Sequence, residues 1–95
     1  MQISIEISLY PLAEDKFKTE IWAFIKRLRL VDGLKVVTNG MSTQVFGEYD
    51  LATEQVMAEI KYVHQSLNAA VFIVKFIGGD RLVVQSEKQC LEEEN

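Results

Sequence analysis

Cysteine and histidine are scarce in this sequence, and each scarcity narrows the classes of protein that it can encode. Cys90 is the single cysteine among 95 residues, so an intrachain disulfide and a zinc site made of several cysteines are both excluded. His64 is the single histidine, and no nucleophile is evident that would pair with it. We therefore expect a protein that is not an enzyme and that uses neither a metal ion nor a cofactor.

Positive charge and long apolar runs are also limited. Ten Lys and Arg against fourteen Asp and Glu give a formal net charge of −4, which disfavours nucleic acid and anionic membrane surfaces as partners. No apolar run approaches the roughly 20 residues that span a bilayer. The opening MQISIEISLY lacks the basic and apolar regions of a signal peptide. We expect a cytoplasmic protein.

Hydrophobic periodicity divides the chain into four strands and two helices. Asn39-Gly40 is typical of a tight hairpin turn, and Asp50 is the predicted N-cap of the second helix. We assign residues 1–80 to one domain and residues 81–95 to a C-terminal extension whose acidic end is expected to fray. The predicted elements, in order, are strand 2–10, helix 15–31, strand 33–39, strand 40–49, helix 51–67 and strand 69–77.

This order predicts an α+β, ferredoxin-like βαββαβ sandwich with two helices on one face of a four-stranded antiparallel sheet. The first and third strands should lie at the centre of the sheet. Alternation then assigns side chains to the covered or the open face. Toward the helices should point Ile3, Ile5, Ile7, Leu9, Met41, Thr43, Val45, Phe72, Val74 and Phe76. Toward the open face should point Gln2, Ser4, Glu6, Ser8, Tyr10, Lys35, Val37, Ser42, Gln44, Phe46, Glu48, Val71, Ile73, Lys75 and Ile77.

The predicted open face has a polar centre and an apolar flank on the fourth strand. Because proteins with this fold have many different functions, the fold alone does not identify the function of this protein. The chain is too acidic and too poor in exposed aromatics for RNA recognition, and the first loop, YPLAEDKFK, contains no C-x-x-C metal motif. An acylphosphatase-like anion cradle is disfavoured because Glu14 and Asp15 lie in that loop.

Two segments resemble the YkoF-like thiamine- and hydroxymethylpyrimidine-binding proteins, a family of ferredoxin-like domains that includes short single-domain members. The first is ISIEISLYPL, and the second is the hairpin pattern from Thr38 to Asp50, which contains NGMSTQVFGEYD. The helices and the fourth strand fit the family layout, so the resemblance extends over residues 1–80 and not into the tail. It implies a non-enzymatic binder of thiamine or of its pyrimidine moiety. It also implies a homodimer or homotetramer assembled through its sheets.

The matched motifs imply a set of ligand-binding residues. In this interpretation Glu6 accepts a hydrogen bond from the exocyclic amine, and hydroxyl and amide groups serve the ring nitrogens or a hydroxymethyl group. Tyr10 or Phe46 stacks on the ring, and Glu48 offsets a thiazolium charge if thiamine is the ligand. The predicted ligand-binding residues are Glu6, Ser8, Tyr10, Thr38, Ser42, Gln44, Phe46 and Glu48.

Two alternatives stay open. One is a protein-interaction or oligomerisation module without a small-molecule ligand, and the weaker one is an unrecognised enzyme. Binding and interaction differ at Glu6 and Gln44. In an interaction module, Lys75 or a partner's backbone should satisfy both side chains without leaving a cavity, whereas in a binding protein they should line a pocket with an aromatic wall.

Overall fold

The computed structural model describes residues 1–11, 17–67 and 69–82. These residues form β1 (Gln2–Pro11), α1 (Phe17–Arg29), β2 (Lys35–Thr38), β3 (Thr43–Glu48), α2 (Tyr49–Ser66) and β4 (Ala70–Gly78). The strands make one antiparallel sheet in the order β2-β3-β1-β4. The predicted ferredoxin-like fold, with the first and third strands at the centre, is confirmed. Cys90 and the predicted frayed end lie outside the described residues, so the domain boundary at residue 80 stays a prediction.

The core lies between the sheet and the two helices. On β1 the alternating residues Ile3, Ile5 and Ile7 are only 1–2% exposed, because they all turn toward the helices. Full burial of such a side chain contributes about 1.5–3 kcal/mol. The helices complete the core with Phe24, Ile25, Leu28, Ala52, Val56, Ile60 and Val63.

A contact between the helices holds them side by side on one face of the sheet. Arg27 forms an ion pair with Glu59, and its guanidinium carbon lies 4.4 Å from the centre of the Tyr62 ring. The last turn of α1 is basic, which favours the negative end of its helix dipole. Among the described residues, no helix is long and apolar enough to cross a membrane.

The start of α2 differs from the prediction. Its N-cap is Glu48, whose Oε2 accepts a hydrogen bond from the backbone N–H of Leu51 at 2.9 Å. The prediction of Asp50 as N-cap was wrong, because α2 follows β3 without a loop and the last strand residue takes the capping position. Asp50 instead lies in the first turn, where its charge favours the helix dipole.

The prediction that Phe76 joins the core was also wrong. Phe76 pairs with Ile5, so its side chain lies on the helix side of the sheet, but it is 51% exposed. Phe72 and Val74 on the same strand do pack against the core. The helix layer therefore covers the first part of β4 and leaves Phe76, on an edge strand, at the rim.

Candidate functional site

The strand register places Glu6 at the middle of the open face. Glu6 lies opposite Gln44 on β3 and opposite Lys75 on β4. In the next row, Ser4 lies between Phe46 and Ile77. The structure thus brings together Glu6, Gln44 and Phe46, three of the predicted ligand-binding residues, on the two central strands.

Hydrogen bonds link the polar groups of the two central strands. The Ser42 hydroxyl donates to Oε2 of Glu6 at 3.0 Å, and the Gln44 amide donates to the Ser42 oxygen at 3.4 Å. The other carboxylate oxygen of Glu6 lies 3.4 Å from Nζ of Lys75. The side chains of this ion pair are 37% and 68% exposed, so the pair is weak, at about 0–1 kcal/mol. A ligand donor can therefore replace Lys75 beside Glu6 at small cost.

An open cavity of about 340 Å³ lies over this part of the sheet. We call it the open-face cavity, and its walls include Ser4, Glu6, Gln44, Phe46, Ile77, Arg81 and Leu82. The polar or charged residues Glu6, Gln44 and Arg81 lie there together with the aromatic Phe46 and the aliphatic Ile77 and Leu82. A few polar groups against apolar walls are the usual composition of a small-molecule site. Phe46 is only 7% exposed, so its ring is a fixed wall of the cavity.

The turn after β4 supplies one wall of the open-face cavity, and Ser4 holds that turn in place. The Ser4 hydroxyl is buried, donates to the Gly79 carbonyl at 2.8 Å and accepts from the Arg81 N–H at 2.8 Å. Gly79 has φ +92°, a conformation that glycine adopts without the strain of other residues. Sequence reasoning missed Arg81 and Leu82, because the chain after residue 80 was assigned to an extension. The Gly78-Gly79-Asp80 turn was the available signal that the chain returns over the sheet.

Four predicted residues line a different cleft. It has a volume of about 470 Å³ and lies between the first turns of α1 and the β2–β3 hairpin, with Trp22 among its walls. Tyr10 is 51% exposed there. The hydroxyls of Thr38 and Thr43 lie 3.1 Å apart, so Thr38 forms a cross-strand pair at the base of the hairpin. The predicted residues that line this cleft are Ser8, Tyr10, Thr38 and Ser42.

Among the predicted ligand-binding residues, Ser42 connects the two cavities. It lines the cleft and donates to Glu6 in the open-face cavity. The residues that were predicted as one site therefore divide between the middle of the sheet and its hairpin end.

Glu48 lies apart from both cavities. It pairs with Gln2, two rows from Glu6 along β3, and its carboxylate caps α2. The backbone N–H of Leu51, and to a smaller extent that of Asp50, lowers the pKa of Glu48 below its usual value. The carboxylate is thus held at a helix N-terminus rather than directed at the open-face cavity.

The remaining polar chemistry lies on the helix side. Nε2 of His64 lies 3.1 Å from the Ala70 carbonyl oxygen, and its ring packs edge-on against Phe72 at 5.2 Å between ring centres. Within residues 1–11, 17–67 and 69–82, no group of three His, Cys, Asp or Glu side chains is arranged to hold a metal ion. On the open face, the carboxylate of Glu6 lies beside the hydroxyl of Ser42 and the ammonium group of Lys75.

The fold and the cavity define a ferredoxin-like α+β domain with a mixed polar and apolar cavity on its open sheet face. No protein-family model and no curated protein matches the sequence significantly. Solved structures do match over nearly the whole chain. Protein SP2199 from Streptococcus pneumoniae has a TM-score of 0.77 at 22% identity, with 97% of this chain and 99% of that chain covered.

Two further solved structures are similar. A candidate thiamine biosynthesis/salvage protein from Thermotoga maritima has a TM-score of 0.71 at 17% identity, with all of both chains covered. The DUF77 domain of unknown function from Bacillus cereus has a TM-score of 0.65 at 15% identity, with 96% and 88% covered. At these identities the similarity establishes the shared fold.

Proposed function

We propose that this protein binds thiamine or its hydroxymethylpyrimidine moiety in the open-face cavity without converting it chemically. The observation that carries the proposal is the juxtaposition of Glu6 and Gln44 beside the buried Phe46 ring in one cavity. An aminopyrimidine is a flat ring with an amine donor and ring-nitrogen acceptors. A carboxylate, an amide and an aromatic wall complement that pattern.

The similarity to the Thermotoga maritima protein supports the class of ligand. That protein is a candidate thiamine biosynthesis/salvage protein, and the structural alignment covers all of both chains. The resemblance of the ISIEISLYPL and hairpin segments to the YkoF-like family supports the same class independently of the fold. We place the cavity near or at an oligomer interface, because the apolar flank of β4 borders it.

Glu6 is the residue on which the proposal depends most directly. Among the described residues, the ion-pair partner of its Oε1 is the exposed Lys75, so the ligand amine can replace that contact. The Ser42 hydroxyl orients the other oxygen at 3.0 Å. The carboxylate is therefore pre-oriented before the ligand arrives, which reduces the entropy cost of binding.

Calorimetric titration of the purified protein with hydroxymethylpyrimidine and with thiamine tests the proposal. We expect saturable binding with a micromolar dissociation constant, equivalent to about −8 kcal/mol. Glu6→Gln should weaken it roughly tenfold or more, because a hydrogen bond to a charged group contributes about 1.5–3 kcal/mol. Glu54→Gln, the same change on an exposed residue of α2, is the matched control and should bind like the wild type.

The absence of saturable heat with both ligands, from a folded wild-type protein, would contradict the proposal. Equal losses in Glu6→Gln and Glu54→Gln would contradict the location of the site.

The alternative function is an oligomerisation module in which the open face binds only another copy of the chain. The observation that favours it is a row of exposed apolar side chains on β4: Val71, Ile73 and Ile77 are 42%, 53% and 42% exposed. Alternation places all three on the open face of an edge strand. This alternative does not explain the cavity beside Phe46, because an oligomerisation surface does not require one.

A further inference from the structure

We infer that the open-face cavity accepts a ring that carries a phosphate ester, and that Arg81 binds the phosphate group. This inference rests on the proposed function and extends it to the charge of the ligand.

The described part of the open face carries several cations, although the chain as a whole is acidic. The chain has a formal net charge of −4. On the open face, Lys75 lies beside Glu6, and Lys35 lies opposite Phe46 and shares its face. Arg81 adds a third cation at the cavity wall. Among the described residues that line the cavity or form an ion pair with its lining, Lys75 and Arg81 are cations and Glu6 is the carboxylate.

The nearby carboxylates are engaged elsewhere. Glu48 caps α2, and Oδ1 of Asp80 accepts from the Leu82 N–H at 3.0 Å within the turn. Glu6 already has Lys75 beside it at 3.4 Å. Among the described residues, no carboxylate forms an ion pair with Arg81. Within the described part of the chain, its guanidinium group is therefore a cation at the cavity wall without a carboxylate partner.

The position of Arg81 suits a ligand that also reaches Glu6. Its backbone N–H donates to Ser4, which fixes the residue against β1. Ser4 and Glu6 are two residues apart on the same strand, a distance of about 7 Å. A single six-membered ring with one substituent arm spans that distance. The ring would lie beside Phe46 with its amine toward Glu6 and its anionic arm toward Arg81.

Arginine also has the right donor geometry for this role. Its planar guanidinium offers paired N–H donors that match two oxygens of a phosphate. The free hydroxymethyl group has a single oxygen and no charge, so it cannot use both donors. The phosphate ester should therefore bind more tightly than the free alcohol.

The test compares hydroxymethylpyrimidine with its phosphate ester on three proteins by calorimetry: the wild type, Arg81→Gln, and Arg29→Gln. Arg29 is an exposed arginine at the end of α1 and serves as the matched control. The wild type and Arg29→Gln should bind the phosphate ester at least about tenfold more tightly than the free alcohol. Arg81→Gln should lose this preference and bind the ester and the free alcohol with similar affinity.

The inference is overturned if the wild type binds the free alcohol as tightly as the ester, or if Arg81→Gln keeps the preference. A second experiment distinguishes failure of this inference from failure of the proposed function. Phenyl phosphate is titrated into the three isotopically labelled proteins and followed by NMR shifts of the residues that line the cavity. Binding that depends on Arg81, without binding of either pyrimidine, would refute the proposed ligand and support the anion site. No Arg81-dependent binding of phenyl phosphate or of the ester would refute the anion site.

Discussion

Gly47→Ala should destabilise the protein because two chain segments meet at Gly47 without room for a side chain. An added Cβ would lie 2.6 Å from Cδ2 of Leu34 and 2.9 Å from the carbonyl oxygen of Gly33. Carbon atoms pack best at about 3.5–4.0 Å. The end of the Leu34 side chain can rotate away, but the Gly33 carbonyl belongs to the backbone of a residue with φ +92°. The loop between α1 and β2 must therefore shift.

The expected cost is that of overpacking, about 1–3 kcal/mol, out of a total stability of about 5–15 kcal/mol. Urea denaturation followed by circular dichroism measures it. With a slope of about 1 kcal/mol per molar urea, the midpoint should fall by roughly 1–3 M.

Gly78→Ala is the control for the Gly47 experiment. An added Cβ at Gly78 meets no atom within 4 Å. Gly78→Ala should leave the free energy of unfolding unchanged or raise it by up to about 1 kcal/mol, because alanine restricts the conformations of the unfolded chain. The urea midpoint should therefore stay the same or rise. A Gly47→Ala protein as stable as the wild type would refute the reasoning, and so would equal losses in both variants.

Two further predictions concern Glu48 and the β4 flank. Hydrogen bonds from the backbone N–H groups of Leu51 and Asp50 lower the pKa of Glu48, so its stabilisation is present near neutral pH and is lost as the pH falls through the pKa of the folded state. Urea denaturation should therefore show Glu48→Gln less stable than the wild type at about pH 7, with a gap that narrows toward about pH 3. A gap that does not change with pH would contradict this. If copies associate through the open face, Ile73→Glu should shift the mass measured by light scattering to that of a monomer. Met57→Glu, an equally exposed apolar position on α2, should not. A wild type that is monomeric at every concentration would contradict the association.

The open face was predictable because side-chain alternation on a strand is a local property. Once Ile3, Ile5 and Ile7 are assigned to the core, Glu6 must point the other way, and the structure places it there. The strand order followed from the sequence of elements and the handedness of crossovers. Together these two rules placed Glu6 and Gln44 on the same face of neighbouring strands, and the register of the structure pairs them directly.

Several of the features that were predicted wrongly or missed depend on contacts between distant parts of the chain. Met41 is a local error: it was predicted to point toward the helices, but it is exposed because it lies in the turn before β3 rather than in the strand. Side-chain alternation correctly predicted the side of the sheet on which Phe76 lies. It could not predict how far the helices extend over an edge strand. The role of Ser4 depends on a turn 75 residues away in sequence, and no local pattern in β1 predicts that contact. Glu48 has the parity of an open-face residue, yet the direct passage from β3 into α2 makes its carboxylate a helix cap.

The net charge of the whole chain and the charge around one site also have different consequences for binding. A net charge of −4 argues against a nucleic acid, because such a partner requires many cations along an extended surface. It does not argue against one phosphate group, because screening limits each charge to about 8–10 Å at physiological ionic strength. Within that distance the nearest charges have the largest effect on a ligand. Among the described residues that line the cavity or form an ion pair with its lining, the cations Lys75 and Arg81 outnumber the carboxylate of Glu6. An acidic protein can therefore exclude polyanions and still select a small anionic ligand, and the comparison of Arg81→Gln with Arg29→Gln measures that local charge directly.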